Sequence, residues 1–112
     1  MEEKIETYQR IIICFLEQQA KYFVANATLE NQLVIDKENG HFQLVRIGWR
    51  KNRFVHTCPF HFDIKNGKIW IQQNRTDVEV AEELVALGVS PSDIVIGFLP
   101  VEMRVASGYA TA

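Results

Sequence analysis

The chain has 112 residues, of which 47% are hydrophobic, and a formal net charge of −2. This length and composition predict one globular domain spanning residues 1–112, with enough apolar side chains for a single core. The near-neutral charge argues against a protein that grips duplex DNA alone, because that affinity rests largely on phosphate neutralisation by lysine and arginine. Two cysteines, a charged start and the lack of a long apolar run predict a cytoplasmic protein with reduced thiols and no membrane span.

A long amphipathic helix is predicted for residues 3–24. The residues that form one face of this helix recur at alternating steps of three and four: Ile5, Tyr8, Ile12, Phe15, Gln19 and Tyr22. Further apolar residues widen this face: Ile11, Ile13, Cys14, Leu16 and Phe23. The helix is therefore buried against its own sheet, or its second face meets another subunit. The high aromatic content and the exposed strand edges favour self-association, so a homo-oligomer is predicted.

Four strands are predicted after this helix, joined by short polar turns. Asn66-Gly67 is the strongest short-range signal for a tight hairpin between the last two strands. Pro59 has no N–H for a sheet ladder, so it predicts a bulge or an edge within the third strand. The four strands cover residues 29–35, 41–49, 53–65 and 68–74.

A second helix is predicted from a capping box, in which Thr76 is the N-cap and Glu79 follows three residues later. Its apolar face is formed by Val80, Leu84 and Leu87. Pro91 then begins one short turn through Ile94 and Val95, and residues 97–112 show no clear period. The predicted fold class is α+β: a long N-terminal helix packed on an antiparallel four-stranded meander, followed by a second helix and a short C-terminal segment.

Three potential ligands lie close together in the third strand, namely His56, Cys58 and His61. In a regular strand His56 and Cys58 share a face, whereas His61 points the other way. A structural zinc site needs four ligands, and no fourth is evident nearby. The sequence therefore predicts no metal and no cofactor.

His61 and Asp63 lie on one face of the third strand, and Trp70 lies on its partner strand. An aspartate can orient a histidine as a general base, but Cys58 points to the opposite face and supplies no nucleophile. No catalytic residues are predicted, and His61, Asp63 and Trp70 form a candidate interaction face. An enzyme or small-ligand module that uses His61 and Asp63 stays open as an alternative.

Four basic residues cluster around one predicted hairpin turn: Arg46, Arg50, Lys51 and Arg53. They lie close to Trp49 and Phe54, and basic groups beside aromatic rings can bind nucleic acid. The competing interpretation is a solvated turn whose charges protect an edge strand from pairing. Arg104 in the tail lies beside Glu102 and is as readily an ion-pair member as a functional group.

The chain resembles the XisI family, the excision controlling factors of a cyanobacterial DNA element inserted in a nitrogen-fixation ferredoxin gene. The resemblance runs over nearly the whole length, and the order and spacing of its motifs make it specific. The motifs are Lys4-Ile5-Glu6-Thr7-Tyr8, Phe42-Gln43-Leu44-Val45-Arg46-Ile47-Gly48-Trp49, His61-Phe62-Asp63-Ile64, Gly67-Lys68-Ile69-Trp70-Ile71-Gln72, Ile94-Val95-Ile96-Gly97-Phe98, Pro100 with Arg104, and Gly108-Tyr109-Ala110-Thr111-Ala112.

This resemblance implies a role in DNA rearrangement during heterocyst differentiation, in which a site-specific recombinase excises the element. It implies two protein partners, the recombinase and a nuclease-like companion called XisH, and it carries over no catalytic residue. Three hypotheses follow: a non-enzymatic accessory factor that acts through protein partners, an inhibitor or antitoxin-like partner of the XisH-like nuclease, and a small-ligand module or enzyme. Direct DNA contact stays open.

Overall fold

The computed structural model describes residues 2–22 and 28–112. The fold is α+β, as predicted, and it begins with a 21-residue helix, one helical residue of which lies before the predicted start. The predicted end of that helix, at residues 23 and 24, lies outside the described residues. The elements are α1 (Glu2–Tyr22), β1 (Leu29–Asp36), β2 (His41–Arg50), β3 (Arg53–Lys65), β4 (Lys68–Asn74), α2 (Val80–Ala86), β5 (Ile94–Ile96) and α3 (Val101–Arg104).

The sheet has five strands in the order β1-β2-β3-β4-β5. The first four form the predicted antiparallel meander, but β5 pairs with β4 in parallel. The prediction of four antiparallel strands is therefore wrong in strand number and in the direction of one pair. A strand of only three residues is too short to show a period, and α2 supplies the crossover that a parallel neighbour requires.

One face of the sheet is closed by α1. Phe15 packs edge-to-face on the rings of Phe60 and Phe62, at centroid distances of 5.4 and 5.8 Å. The other buried apolar residues of this core come from α1, the central strands, α2 and β5: Tyr8, Ile12, Leu16, Phe42, Leu44, Ile69, Ile71, Val80, Leu84, Val89 and Ile94. Within the described parts of the chain, no helix is both long and apolar enough to cross a membrane.

The predicted capping box does not form. Helix α2 begins at Val80 with Glu79 at the N-cap position and no side-chain capping bond. The Thr76 hydroxyl instead donates to the side-chain oxygen of Asn74 at 2.6 Å and accepts from the backbone N–H of Val78 at 3.1 Å. The Thr76 side chain therefore forms hydrogen bonds within a local turn at Asn74 instead of capping the helix. Such local side-chain bonds commonly compete with helix capping.

Two bulges interrupt the ladders of β3. Cys58 and Pro59 together stand opposite Val45 of β2, so the bulge predicted from Pro59 is confirmed. The second bulge lies in β4, where Gln72 has no opposite residue between the His61–Gln73 and Phe62–Ile71 pairs. The first bulge reverses the alternation of β3, so the prediction that His56 and His61 point to opposite faces is wrong. His56, opposite Ile47, lies on the same face as His61 but beyond the bulge.

Candidate functional site

A polar cluster occupies the sheet face that α1 does not cover. Phe42, Phe62, Ile69 and Ile71 are buried on the α1 side. Because successive side chains alternate between the two faces of a strand, their neighbours project to the other face. These neighbours form the polar cluster, which we define as His41, Gln43, His61, Asp63, Trp70 and Gln72. The register pairs His41 with Asp63, Gln43 with His61, and Asp63 with Trp70.

Asp63 is the centre of the polar cluster. Its Oδ1 lies 2.7 Å from His41 Nδ1 and 2.9 Å from His61 Nε2. Its other oxygen, Oδ2, accepts a hydrogen bond of 3.1 Å from the side-chain amide of Gln72. The Asp63 side chain is 19% exposed. Its carboxylate contacts three side-chain nitrogens, one each from β2, β3 and β4.

The pKa values in the polar cluster follow from these contacts. Burial alone would raise the pKa of Asp63, but the hydrogen bonds from His41, His61 and Gln72 outweigh it and lower the pKa. The pKa of His41 is raised, chiefly because its ring nitrogen donates to the Asp63 carboxylate. The site thus holds an ionised carboxylate between two histidine rings at neutral pH.

Two glutamines orient the His61 ring and the Asp63 carboxylate. The Gln43 side-chain nitrogen lies 3.4 Å from His61 Nδ1, on the side of the ring away from Asp63. Gln72 reaches Asp63 from the bulge in β4, since a bulge re-aims the side chain of its unpaired residue. Gly97 follows β5 and leaves room for Gln72, because a Cβ on Gly97 would collide with the Gln72 side-chain oxygen.

Trp70 lies beside Asp63, is half-buried, and has two cations next to its ring. Lys65 Nζ lies 4.1 Å above the centre of its ring, and the Arg104 guanidinium carbon lies 5.3 Å from it. Arg104 donates to the carbonyl oxygens of Leu99 at 3.0 Å, Thr111 at 3.1 Å and Gly97 at 3.3 Å. Arg104 therefore ties the tail across the tryptophan. Its hydrogen bonds go to backbone carbonyls, and among the described residues it forms no ion pair with Glu102.

The polar cluster offers ligands for a metal ion but no nucleophile of its own. One ligand atom each from His41, His61 and Asp63 can be chosen so that all three lie within 4.8 Å of one another. His56 and Cys58 do not join this group. Cys58 Sγ lies 3.0 Å from the carbonyl oxygen of Phe60, and burial raises the pKa of its thiol. The thiol is thus held in its protonated, weakly nucleophilic form.

The basic residues predicted around the β2–β3 turn are not all at its tip. Arg50, Lys51 and Arg53 are exposed there. Beside them the rings of Trp49 and Phe54, each about half exposed, meet edge-to-face at 5.2 Å. Arg46 lies further along β2, half-buried, and its Nε donates to the side-chain oxygen of Asn31 at 3.3 Å.

Sequence reasoning found His61, Asp63 and Trp70 and missed the other half of the polar cluster. His41 is the first residue of β2, and its partner is fixed only by the register across the bulge at Pro59. Gln72 reaches Asp63 only because it is the unpaired residue of the second bulge. The one available signal was a third histidine at the start of a strand that pairs with the His61–Asp63 strand.

Known proteins resemble this chain over nearly its whole length. The family model described as "XisI protein" matches residues 1–111. A XisI-like protein from Anabaena variabilis ATCC 29413 is 40% identical, with a TM-score of 0.91, over 96% of this chain and 99% of that chain. The fdxN element excision controlling factor XisI from the same organism is 26% identical, with a TM-score of 0.81, over 97% of this chain and 99% of that chain. No curated protein matches the chain significantly.

Proposed function

Because this chain belongs to the XisI family, as its sequence motifs indicated, we propose that it is a non-enzymatic accessory factor controlling excision of a DNA element. The observation that carries the proposal is the full-length match to the fdxN element excision controlling factor, at a TM-score of 0.81. In this role the chain acts in the cytoplasm through protein partners, a site-specific recombinase and a XisH-like nuclease-fold protein.

Charge and surface composition support contact with proteins more than with DNA. The net charge of −2 gives no overall attraction to the phosphate backbone, and three exposed cations, Arg50, Lys51 and Arg53, lie at the β2–β3 turn. Four large apolar side chains near the C-terminus are more than half exposed: Phe98 at 54%, Val101 at 60%, Met103 at 56% and Val105 at 73%. Exposed apolar side chains that together form one patch are typical of protein interfaces. We therefore place the partner contact on this C-terminal surface or on the candidate interaction face of His61, Asp63 and Trp70.

Co-expression with a XisH-like protein and a site-specific recombinase tests the proposal. The chain should co-purify with at least one of them in size-exclusion chromatography, and it should change excision of an element-bearing plasmid. Val105→Ser should weaken the complex if the C-terminal surface is the contact, whereas Val34→Ser on strand β1 should not. Val34 is the matched control because it is also exposed, at 47%, and lies on the opposite edge strand of the sheet.

The possible results separate the alternatives. A complex that blocks DNA cleavage by a toxic XisH-like protein, with no effect on excision, would make the chain an antitoxin-like inhibitor. No complex and no effect on excision would refute the accessory role. Light scattering on the chain alone checks the predicted homo-oligomer.

A further inference from the structure

We propose that His41, His61 and Asp63 bind one divalent transition-metal ion of the zinc and cobalt class. This inference rests on the side chains alone and is independent of the proposed role in excision. The three residues project from β2 and β3 on the open face of the sheet, so the backbone of two paired strands holds them together.

The distances fit a metal site with little rearrangement. Asp63 Oδ1 lies 2.7 Å from His41 Nδ1 and 2.9 Å from His61 Nε2. Nitrogen and oxygen ligands bind zinc at about 2.0–2.2 Å, so neighbouring ligand atoms around a tetrahedral ion are about 3.4 Å apart, and each histidine has to move away from Asp63 by roughly half an ångström. The three ligand atoms lie within 4.8 Å of one another, and binding one ion requires the two ring nitrogens to be closer than that. His41, whose side chain is 56% exposed, can turn to achieve this.

The chemistry of the three ligands selects the class of ion. Imidazole nitrogen suits zinc, copper, nickel and iron, whereas calcium and magnesium require oxygen ligands. Two neutral imidazoles and one carboxylate leave one or more coordination positions open to solvent on the exposed side of His41. The arrangement is therefore that of an open three-ligand site and not of a closed structural one.

The surrounding groups can accommodate the protons that the metal displaces. To bind the ion, the histidine nitrogen that faces Asp63 must lose its proton and offer a lone pair. The neutral ring then carries its proton on the other nitrogen. The His41 side chain is 56% exposed, so water can exchange a proton with its other nitrogen. The other nitrogen of His61 lies 3.4 Å from the Gln43 amide, which can turn its oxygen towards that proton. Gln72 continues to hold the second oxygen of Asp63, as outer groups commonly do for metal-binding carboxylates.

Cobalt titration of the tag-free full chain tests the site. The protein is stripped of metal with a chelator and kept reduced, and bound Co²⁺ is followed by its visible absorption and by calorimetry. We expect one ion per chain, displacement by Zn²⁺, and no thiolate charge-transfer band, because neither cysteine belongs to the group. His41→Gln, His61→Gln and Asp63→Asn should each weaken binding at least tenfold, since even outer-sphere partners of metal ligands typically contribute 10–100-fold.

His56→Gln is the matched control. It removes the remaining histidine, which lies on the same strand and the same face but beyond the bulge, and it should bind Co²⁺ as the unaltered protein does. Circular dichroism establishes that each variant is folded, and the exposed position of His41 makes His41→Gln the variant least dependent on folding effects. Equal loss in His56→Gln, unchanged binding in His41→Gln, or no saturable binding by the unaltered chain would each overturn the proposal.

Discussion

Leu84 and Leu87 provide a matched pair that tests the packing of α2. The sequence pattern assigns both leucines to the core, but only Leu84 is buried, with no exposed surface, while Leu87 is 48% exposed at the end of the helix. The two residues are three positions apart and identical in chemistry. Leu→Ala at each therefore separates the effect of burial from that of the residue type.

The expected losses differ several-fold. A fully buried Leu→Ala change removes the transfer free energy and leaves a cavity, which together cost about 2–5 kcal/mol. At position 87 about half of the side chain already meets water, so we expect a loss below about 1 kcal/mol. A domain of this size loses roughly 4–8 °C of melting temperature per kcal/mol, so Leu84→Ala should melt at least 8 °C lower.

Urea unfolding followed by circular dichroism and tryptophan fluorescence measures both variants. Coincident transitions in the two signals establish that unfolding is two-state, which the free-energy comparison requires. Equal destabilisation by the two substitutions would refute the packing described for α2. A larger loss at Leu87 would show that its exposed face is covered in solution, and that result would point to self-association.

Three further predictions concern the tail and the acid stability of the fold. Burial alone would raise the pKa of Asp93, but the hydrogen bond from Tyr8 and other contacts outweigh it and lower the pKa. The stability that Asp93 contributes is therefore present above about pH 4 and is lost as the pH falls through the lowered pKa. Asp93→Asn should flatten that loss in urea unfolding between about pH 2 and 5. Arg104→Lys should cost about 1–3 kcal/mol and speed hydrogen exchange in the tail, because one ammonium cannot reach three carbonyl oxygens; unchanged exchange would contradict this. Gly97→Ala should push Gln72 away from Asp63 and shift the Gln72 side-chain amide signals in NMR spectra, and unshifted signals would show that the close approach is absent.

Local signals predicted the meander well because its turns are encoded in short stretches. The Asn66-Gly67 turn adopts positive φ angles of 56° and 76°, the backbone that this dipeptide favours in a hairpin. β5 was missed for the opposite reason. Ile94 and Val95 are fully buried, but their partners in β4 lie about 25 residues earlier, and a three-residue strand carries no period of its own.

The candidate site was only half predicted because it depends on register. In an unbroken ladder counted from the β2–β3 turn, His41 would stand opposite Phe62. Since Cys58 and Pro59 together face a single residue of β2, the ladder shifts by one and His41 faces Asp63 instead. Pro59 predicted a bulge or an edge within the third strand, but it did not predict the partner that His41 gains from the shift.

The positions of the two bulges determine which side chains contact Asp63 in the polar cluster. Each bulge interrupts the ladder hydrogen bonds of a strand, so regular strands would serve equally well if the sheet only had to support the core under α1. One bulge brings His41 to Asp63, and the other brings Gln72 to the second oxygen of the same carboxylate. Two separate irregularities thus converge on one side chain, and together they set the geometry around Asp63.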